Sequence, residues 1–175
     1  NVVSVATTTG YATADYAAWP LFSALLMLLL CTFCTCSLSA GGGIKMMRAL
    51  VLFQTAFREL RRMVHPRALM SVKLGGQVVE NQIIFAVLAY MLVYGVTLTA
   101  ITMLLVATGV DFLTAFSAAS ACINNLGPGL GFVGPAGSYA LFNTFQTWIC
   151  TAAMLLGRLE LITVFVVLTP AFWRR

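Results

Sequence analysis

The chain has 175 residues, of which 61% are hydrophobic and only 9% charged, with a net charge of +5. Soluble domains average about a quarter charged residues, so this composition excludes a soluble globular protein and reads as a membrane protein. Ala17–Ala40, Ile83–Val110 and Phe112–Gly157 hold no charged residue at all. A spanning helix needs about 20 apolar residues, so the third run is too long for one helix and too short for two spans with a loop; it reads as a re-entrant segment plus one span. The chain opens on Asn1-Val2-Val3 with neither an initiator Met nor a cleavable signal pattern, and it reads as a piece of a longer protein whose missing part lies upstream.

Taken in order, residues 1–6 read as the end of a short helix and 7–16 as a loop with Gly10 at its turn. Trp19-Pro20 opens a span, Pro being tolerated in a first helical turn. The span should break near Ser37–Gly43, because three consecutive glycines, Gly41, Gly42 and Gly43, are poor helix material. Helical pattern resumes at Ile44 and runs to about Val64; this amphipathic half carries Arg58, Arg61 and Arg62 near its end, where cations complement the helix dipole, and Pro66 stops it. Ser71–Val79 alternates around Gly75-Gly76 and reads as a small hairpin. A second span covers about 81–107, and Thr108–Asp111 makes a turn. Residues 112–124 are too few to cross a bilayer, a second glycine loop follows at 124–129, Gly131–Ser138 is a glycine- and proline-rich connection, and the last span covers roughly 143–169 before Pro170.

Seven of the ten basic residues lie between Lys45 and Lys73, and Arg174 and Arg175 close the chain. Basic loops stay cytoplasmic, so 45–73 and the C-terminus are expected inside and the loops at 1–16 and 108–142 outside. Nucleic-acid binding is not expected from a basic stretch held between spans.

The two loops, Thr7-Thr8-Thr9-Gly10-Tyr11 and Asn124-Asn125-Leu126-Gly127-Pro128, follow the same order: small and apolar residues, a glycine turn, a polar or glycine-rich stretch, then a long apolar segment. Backbone at membrane depth is tolerated only where protein buries it or where it lines a watery cavity. A short helix aimed at the membrane centre points its carbonyls inward, glycine permits positive φ and close backbone approach, and rings of such carbonyls replace the hydration of a cation. The pattern therefore predicts an ion path that needs no catalytic side chain; the competing reading makes Gly10 and Gly127 ordinary turns between spans. Arg158 and Glu160 lie inside the last apolar run, where a charge marks function by default. Arg158 either faces a wet path below the loops or pairs with an acid or with the carbonyls freed at the Gly41–Gly43 break. Cys31-x-x-Cys34-x-Cys36 has metal-like spacing but no His or acid nearby, and reads as buried small hydrophobes; no transition-metal site is expected. With His65 the only histidine and no nucleophile–base set, an enzyme is not expected.

Thr7–Pro20 (TTTGYATADYAAWP), Gly41–Arg48 (GGGIKMMR), Arg58–Pro66 (RELRRMVHP), Asn124–Gly131 (NNLGPGLG), Met154–Glu160 (MLLGRLE) and Thr169–Arg174 (TPAFWR) together resemble the pore subunit of bacterial Trk-type potassium uptake systems, within the Trk/Ktr/HKT superfamily. The resemblance implies an all-α membrane protein of potassium-channel-like helix–pore-loop–helix repeats, with about one and a half of four present. Residues 1–65 would end the third repeat (filter loop 7–16, broken second helix 17–65, gate loop 37–43), 66–80 would be a cytoplasmic connection, and 81–175 would be the fourth repeat (span 81–107, pore helix 112–124, filter 124–129, span 143–169). It implies a filter at Thr8, Thr9, Gly10, Asn125, Leu126 and Gly127, holding potassium by backbone carbonyls, and a gate at Ser37, Ser39, Gly41, Gly42, Gly43 and Arg158. It implies a homodimer in the bacterial inner membrane, in contact with lipid, on a cytoplasmic nucleotide-binding ring that docks near 58–67. One departure stands out: Leu38 and Ala40 replace the small or polar residues expected before the triple glycine. The alternatives are a secondary cation carrier with discontinuous helices and a non-conducting membrane scaffold.

Overall fold

A short helix of small residues, α5, organises the fold. The computed structural model describes residues 1–33, 42–65 and 71–173, apart from the side chains of Leu168 and Ala171. The described chain is mostly helical: α1 (Val2–Ala6), α2 (Leu21–Phe33), α3 (Met46–Val64), the strands β1 (Lys73–Leu74) and β2 (Gln77–Val78), α4 (Asn81–Ala107), α5 (Phe112–Ile123), α6 (Thr144–Arg158), α7 (Leu161–Leu168) and α8 (Pro170–Trp173). The strands pair antiparallel, Lys73 opposite Val78 and Leu74 opposite Gln77, and the two-residue turn between them uses the positive φ of Gly75 and Gly76.

Asp111 starts α5 by accepting a hydrogen bond from the Leu113 amide at 3.2 Å, which satisfies one of the amide donors that every helix N-terminus leaves over. From Thr114 onward nearly every residue of α5 is buried, and most are Ala or Ser. Small side chains let neighbouring backbones come close, so α5 packs against α2, α4 and α6 at once. Its Ala118, Ala119, Cys122 and Ile123 join Tyr90, Tyr94, Ile101 and Leu105 of α4 and Cys150 and Ala153 of α6 in one core. Ala121, on another face, joins Val5, Tyr16, Met27, Leu28 and Cys31 in a second core. A third, smaller cluster of Val51, Val72, Ile84 and Val87 seats the hairpin between α3 and α4.

Helix α4 is long and apolar enough to cross a membrane. Its inward stripe, Tyr90, Tyr94, Thr97, Ile101 and Leu105, follows the helical period, and Phe85, Leu92, Val96 and Met103 stay exposed on the other side. Helix α6 begins with a capping box between Asn143 and Gln146, and the Gln146 amide also donates to Thr108 Oγ1 at 3.0 Å, tying the start of α6 to the end of α4. The apolar run at 143–169, read as one span, is in fact two helices: α6 and α7 meet at an angle of 102°. Leu159 ends α6, and Glu160 turns the chain with φ 58°. The expected break at Ser37–Gly43 lies largely outside the described residues; within them, Gly42 and Gly43, both buried, precede Ile44. Cys34 and Cys36, and the departures Leu38 and Ala40, also lie outside the described residues, and Cys31 is fully buried.

Candidate functional site: two glycine loops over two helix breaks

The two glycine loops are built by one hydrogen-bond scheme. Helix α1 ends at Thr7; Thr8 takes φ 53°, its amide bonding Val5 O at 3.1 Å, and the Thr9 amide reaches back to Ser4 O at 2.8 Å. Helix α5 ends at Asn124; Asn125 takes φ 54°, its amide bonding Cys122 O at 3.1 Å, and the Leu126 amide reaches back to Ala121 O at 2.9 Å. Each is the Schellman ending, in which the first residue past the cap is left-handed and is usually glycine. Here it is Thr and Asn. A left-handed β-branched residue is a strained choice, held in place by Thr7, whose hydroxyl bonds Val3 O and Thr9 Oγ1, both at 2.8 Å. A second positive φ follows two residues later at Gly10 (85°) and Gly127 (97°). With the amides of Thr8, Thr9, Asn125 and Leu126 facing back into the helices, the backbone beyond them is free to turn its carbonyls elsewhere.

The loops touch. A Cβ on Gly10 would fall on the carbonyl oxygen of Leu126 and lie 3.6 Å from Pro128 Cδ, so only glycine allows this approach. Gly127, by contrast, has open space where its Cβ would be. Tyr139 donates to Gly127 O at 2.8 Å and Tyr16 to Pro128 O at 3.5 Å, bracing the second loop from both sides. The structure thus brings Gly10 against Leu126 and Pro128, with Thr8 and Thr9 just before it in the first loop and Asn125 and Gly127 flanking Leu126 in the second.

Beneath α5 lie the two helix breaks. A Cβ on Gly42 would fall on Asn124 O, and one on Gly157 would fall on Ile123 O: both strands leaving the bundle press a bare glycine backbone against the carbonyl end of the same short helix. Three residues further on in each case, the chain turns through a non-glycine positive φ, Lys45 at 68° and Glu160 at 58°, and starts a new helix. Those two residues are ion-paired, Lys45 Nζ to Glu160 Oε1 at 2.9 Å, and Arg48 adds a second bond to Glu160 Oε2 at 3.3 Å. The Arg48 guanidinium lies 4.1 Å from the centre of the Tyr90 ring. Of the residues assigned to a gate, Gly42 and Gly43 sit in this region, Arg158 closes α6 two residues before Glu160, and Ser37, Ser39 and Gly41 fall outside the described residues. The sequence pattern gave no site role to Lys45, Arg48, Tyr90, Tyr94 or Gly157, and gave Asn124 only a place in the second loop. A signal for the ion cluster was available: Glu160 is an acid in an apolar run, and Lys45 and Arg48 follow closely after the glycines.

The family model for TrkH, a cation transport protein, matches residues 1–174. The chain belongs to the TrkH family. It is 44% identical over 174 residues to the Trk system potassium uptake protein TrkH of Salmonella typhimurium, covering 99% of this chain and 36% of that protein. It is 39% identical over 171 residues to the Trk system potassium uptake protein TrkG of Escherichia coli, covering 98% of this chain and 35% of the relative. Among solved structures, that of the potassium transporter TrkH from Vibrio parahaemolyticus superposes with a TM-score of 0.90 at 42% identity, over 98% of this chain and 36% of the transporter. The chain therefore spans about a third of the length of the TrkH-family proteins it matches, and its described backbone has a fold already seen in one of them.

Proposed function

We propose that this chain supplies two neighbouring quarters of a potassium-selective path across the bacterial inner membrane, with Thr8, Thr9, Gly10, Asn125, Leu126 and Gly127 forming half of the filter and the breaks at Gly42–Gly43 and Arg158–Glu160 forming part of the gate beneath it. One observation carries the reading: two short helices end in the same Schellman geometry, and their loops meet with Gly10 against the Leu126 carbonyl. Paired loops whose amides are satisfied behind them can present carbonyls to a bare cation, and a cation leaving water needs such a ring of oxygens. The names of the TrkH-family relatives support potassium as the ion. In the full-length protein the other two quarters would come from outside this chain. The protein would act as a homodimer in contact with lipid, with its basic face and C-terminus on the cytoplasmic side, where a nucleotide-binding ring would dock near Arg58–Arg62.

The test is potassium uptake by full-length protein in proteoliposomes. Wild-type protein should pass potassium in preference to sodium, and Gly127→Ser, which puts a side chain at φ 97°, should lower that preference. Unchanged selectivity in the variant removes Gly127 from the filter, and no potassium flux in the wild type leaves a scaffold as the better reading. Helices broken at both exits also suit a secondary carrier, which would reveal itself by saturating, coupled uptake.

A further inference from the structure

The buried side chain of Asn124 sits where the second glycine loop, the Gly42–Gly43 segment and the α4 tyrosines come together. It is fully inaccessible. Its Oδ1 accepts from the Tyr94 hydroxyl at 3.1 Å. Its Nδ2 donates to Cys31 Sγ and Thr32 Oγ1, both at 3.3 Å, and to Ser120 Oγ at 3.4 Å. Its backbone carbonyl is the surface on which Gly42 rests, and a Cβ on Gly43 would lie 3.2 Å from its Oδ1. One residue further along, Asn125 enters the loop. One helical turn from Tyr94, Tyr90 stacks on it with ring centres 6.4 Å apart and donates to the carbonyl of Gly43 at 3.3 Å. The Tyr90 ring also carries the Arg48 guanidinium, which holds Glu160.

These contacts form an unbroken physical chain: Glu160 at one helix break, Arg48 and Tyr90, Gly43 at the other break, Tyr94, Asn124, and the loop that begins at Asn125. We propose that Asn124 is a positioning residue, clamped by Tyr94, through which the arrangement of the two helix breaks sets the geometry of the Asn125–Gly127 loop, so that a disturbance at Glu160 is read out as altered ion preference. The inference rests on the filter reading above. Its physical basis is that a buried amide with all its partners in place has one orientation, and that these partners come from α2, α4 and α5. Moving the Gly42–Gly43 segment moves the surface against Asn124, and the bonds to Tyr94, Cys31, Thr32 and Ser120 resist rotation of its side chain. Spatial intermediacy alone does not establish coupling; a double-mutant cycle does.

The experiment is such a cycle in full-length protein in liposomes, read as the potassium-to-sodium permeability ratio. Glu160→Gln perturbs the far end, and Tyr94→Phe keeps the ring while removing the bond to Asn124. Glu160→Gln alone is expected to lower the ratio about five-fold, the lower end of the usual coupling between linked sites. In the Tyr94→Phe background the same change is expected to alter the ratio by less than about two-fold, the link being already cut. Thr32→Val, which removes another Asn124 partner from α2, is run alongside and is expected to give the same decoupling. A ratio that ignores Glu160→Gln, or that falls by the same factor in all backgrounds, overturns the proposal while the filter reading stands. A wild-type protein without potassium preference removes the filter reading and this one with it.

Discussion

Gly157 and Gly95 offer a sharp comparison, because the same substitution should have opposite signs at the two positions. Both lie in helices, Gly157 one residue from the end of α6 and Gly95 in the middle of α4. In a helix, Gly→Ala ordinarily stabilises by up to about 1 kcal/mol through backbone entropy. At Gly95 nothing lies within 4 Å of the added Cβ, so that gain should appear undiminished. At Gly157 the Cβ would fall on the carbonyl oxygen of Ile123, a backbone atom with no side-chain freedom to yield, and real Cβ atoms essentially never come closer than 3.0 Å to such a neighbour. The end of α6 must therefore draw away from α5, loosening a contact that also holds Ala153 and Cys150 in the core. Overpacking of this kind costs about 1–3 kcal/mol, which outweighs the helical gain. Thermal unfolding of the full-length protein in detergent should place Gly157→Ala below wild type and Gly95→Ala at or above it. If Gly157→Ala unfolds as late as Gly95→Ala, the close approach of α6 to the end of α5 is not a constraint, and the argument that both exit glycines are dictated by α5 fails.

Three further outcomes follow from the same geometry. Thr8→Gly should raise the unfolding midpoint, because a left-handed β-branched residue carries strain of about 1–3 kcal/mol; Asn125→Gly should change it less, since Asn enters that region more readily, and equal gains would remove strain as the explanation. Ser117→Ala should destabilise by about 1–3 kcal/mol in a denaturant titration, since Ser117 Oγ is the acceptor for the buried Leu130 amide at 2.9 Å and its loss strands that donor; a midpoint equal to wild type would show that the amide has another partner. Glu160→Gln should lower the midpoint modestly, by about 1 kcal/mol given that Glu160 is part-exposed, and combining Lys45→Glu with Glu160→Lys should recover part of it, Arg48 remaining as a repelling neighbour; no recovery would show that the Lys45 pair contributes nothing.

What could be read from the sequence, and what could not, follows from the range of the forces involved. The short helix at Phe112–Ile123 was legible because its limits are local: Asp111 is a cap, the stretch is too short to cross, and Asn124-Asn125 before a glycine is a helix ending. The long helix Asn81–Ala107 was legible from uncharged length alone. The hairpin followed from Gly75-Gly76. The break at Leu159–Glu160 was not, because it has no local cause. No proline marks it, Gly157 lies before it rather than at it, and the apolar run continues to Leu168. The turn at Glu160 is held by Lys45 and Arg48, more than a hundred residues earlier in the chain, and no window along the sequence brings those residues together. Asn124 was named as part of a loop, yet its role is set by Tyr94 and Thr32 from two other helices, so a pattern of spacing could place it and not explain it.

The left-handed residues fall at matching places in the two halves of the described chain. Among the described residues, four that are not glycine have positive φ: Thr8, Lys45, Asn125 and Glu160. Strain of this kind persists only where surroundings over-determine it, and it gathers at functional positions. These four are not scattered. Thr8 and Asn125 each take the first position after a short helix, and Lys45 and Glu160 each take the last position before a helix resumes below a break. The members of each pair share no residue type, so sequence identity between the halves did not put them there; a common backbone path did. That path also explains the ion pair. If the two halves are neighbouring quarters around a common axis, matching positions lie beside one another next to it, and the breaks are where the exits converge. A cation at one break and an anion at its counterpart then meet, as Lys45 and Glu160 do at 2.9 Å. Like charges there would repel, so a pseudo-symmetric fold gains from unlike residues at its matching sites, and the difference in sequence between the halves is itself part of what holds them together.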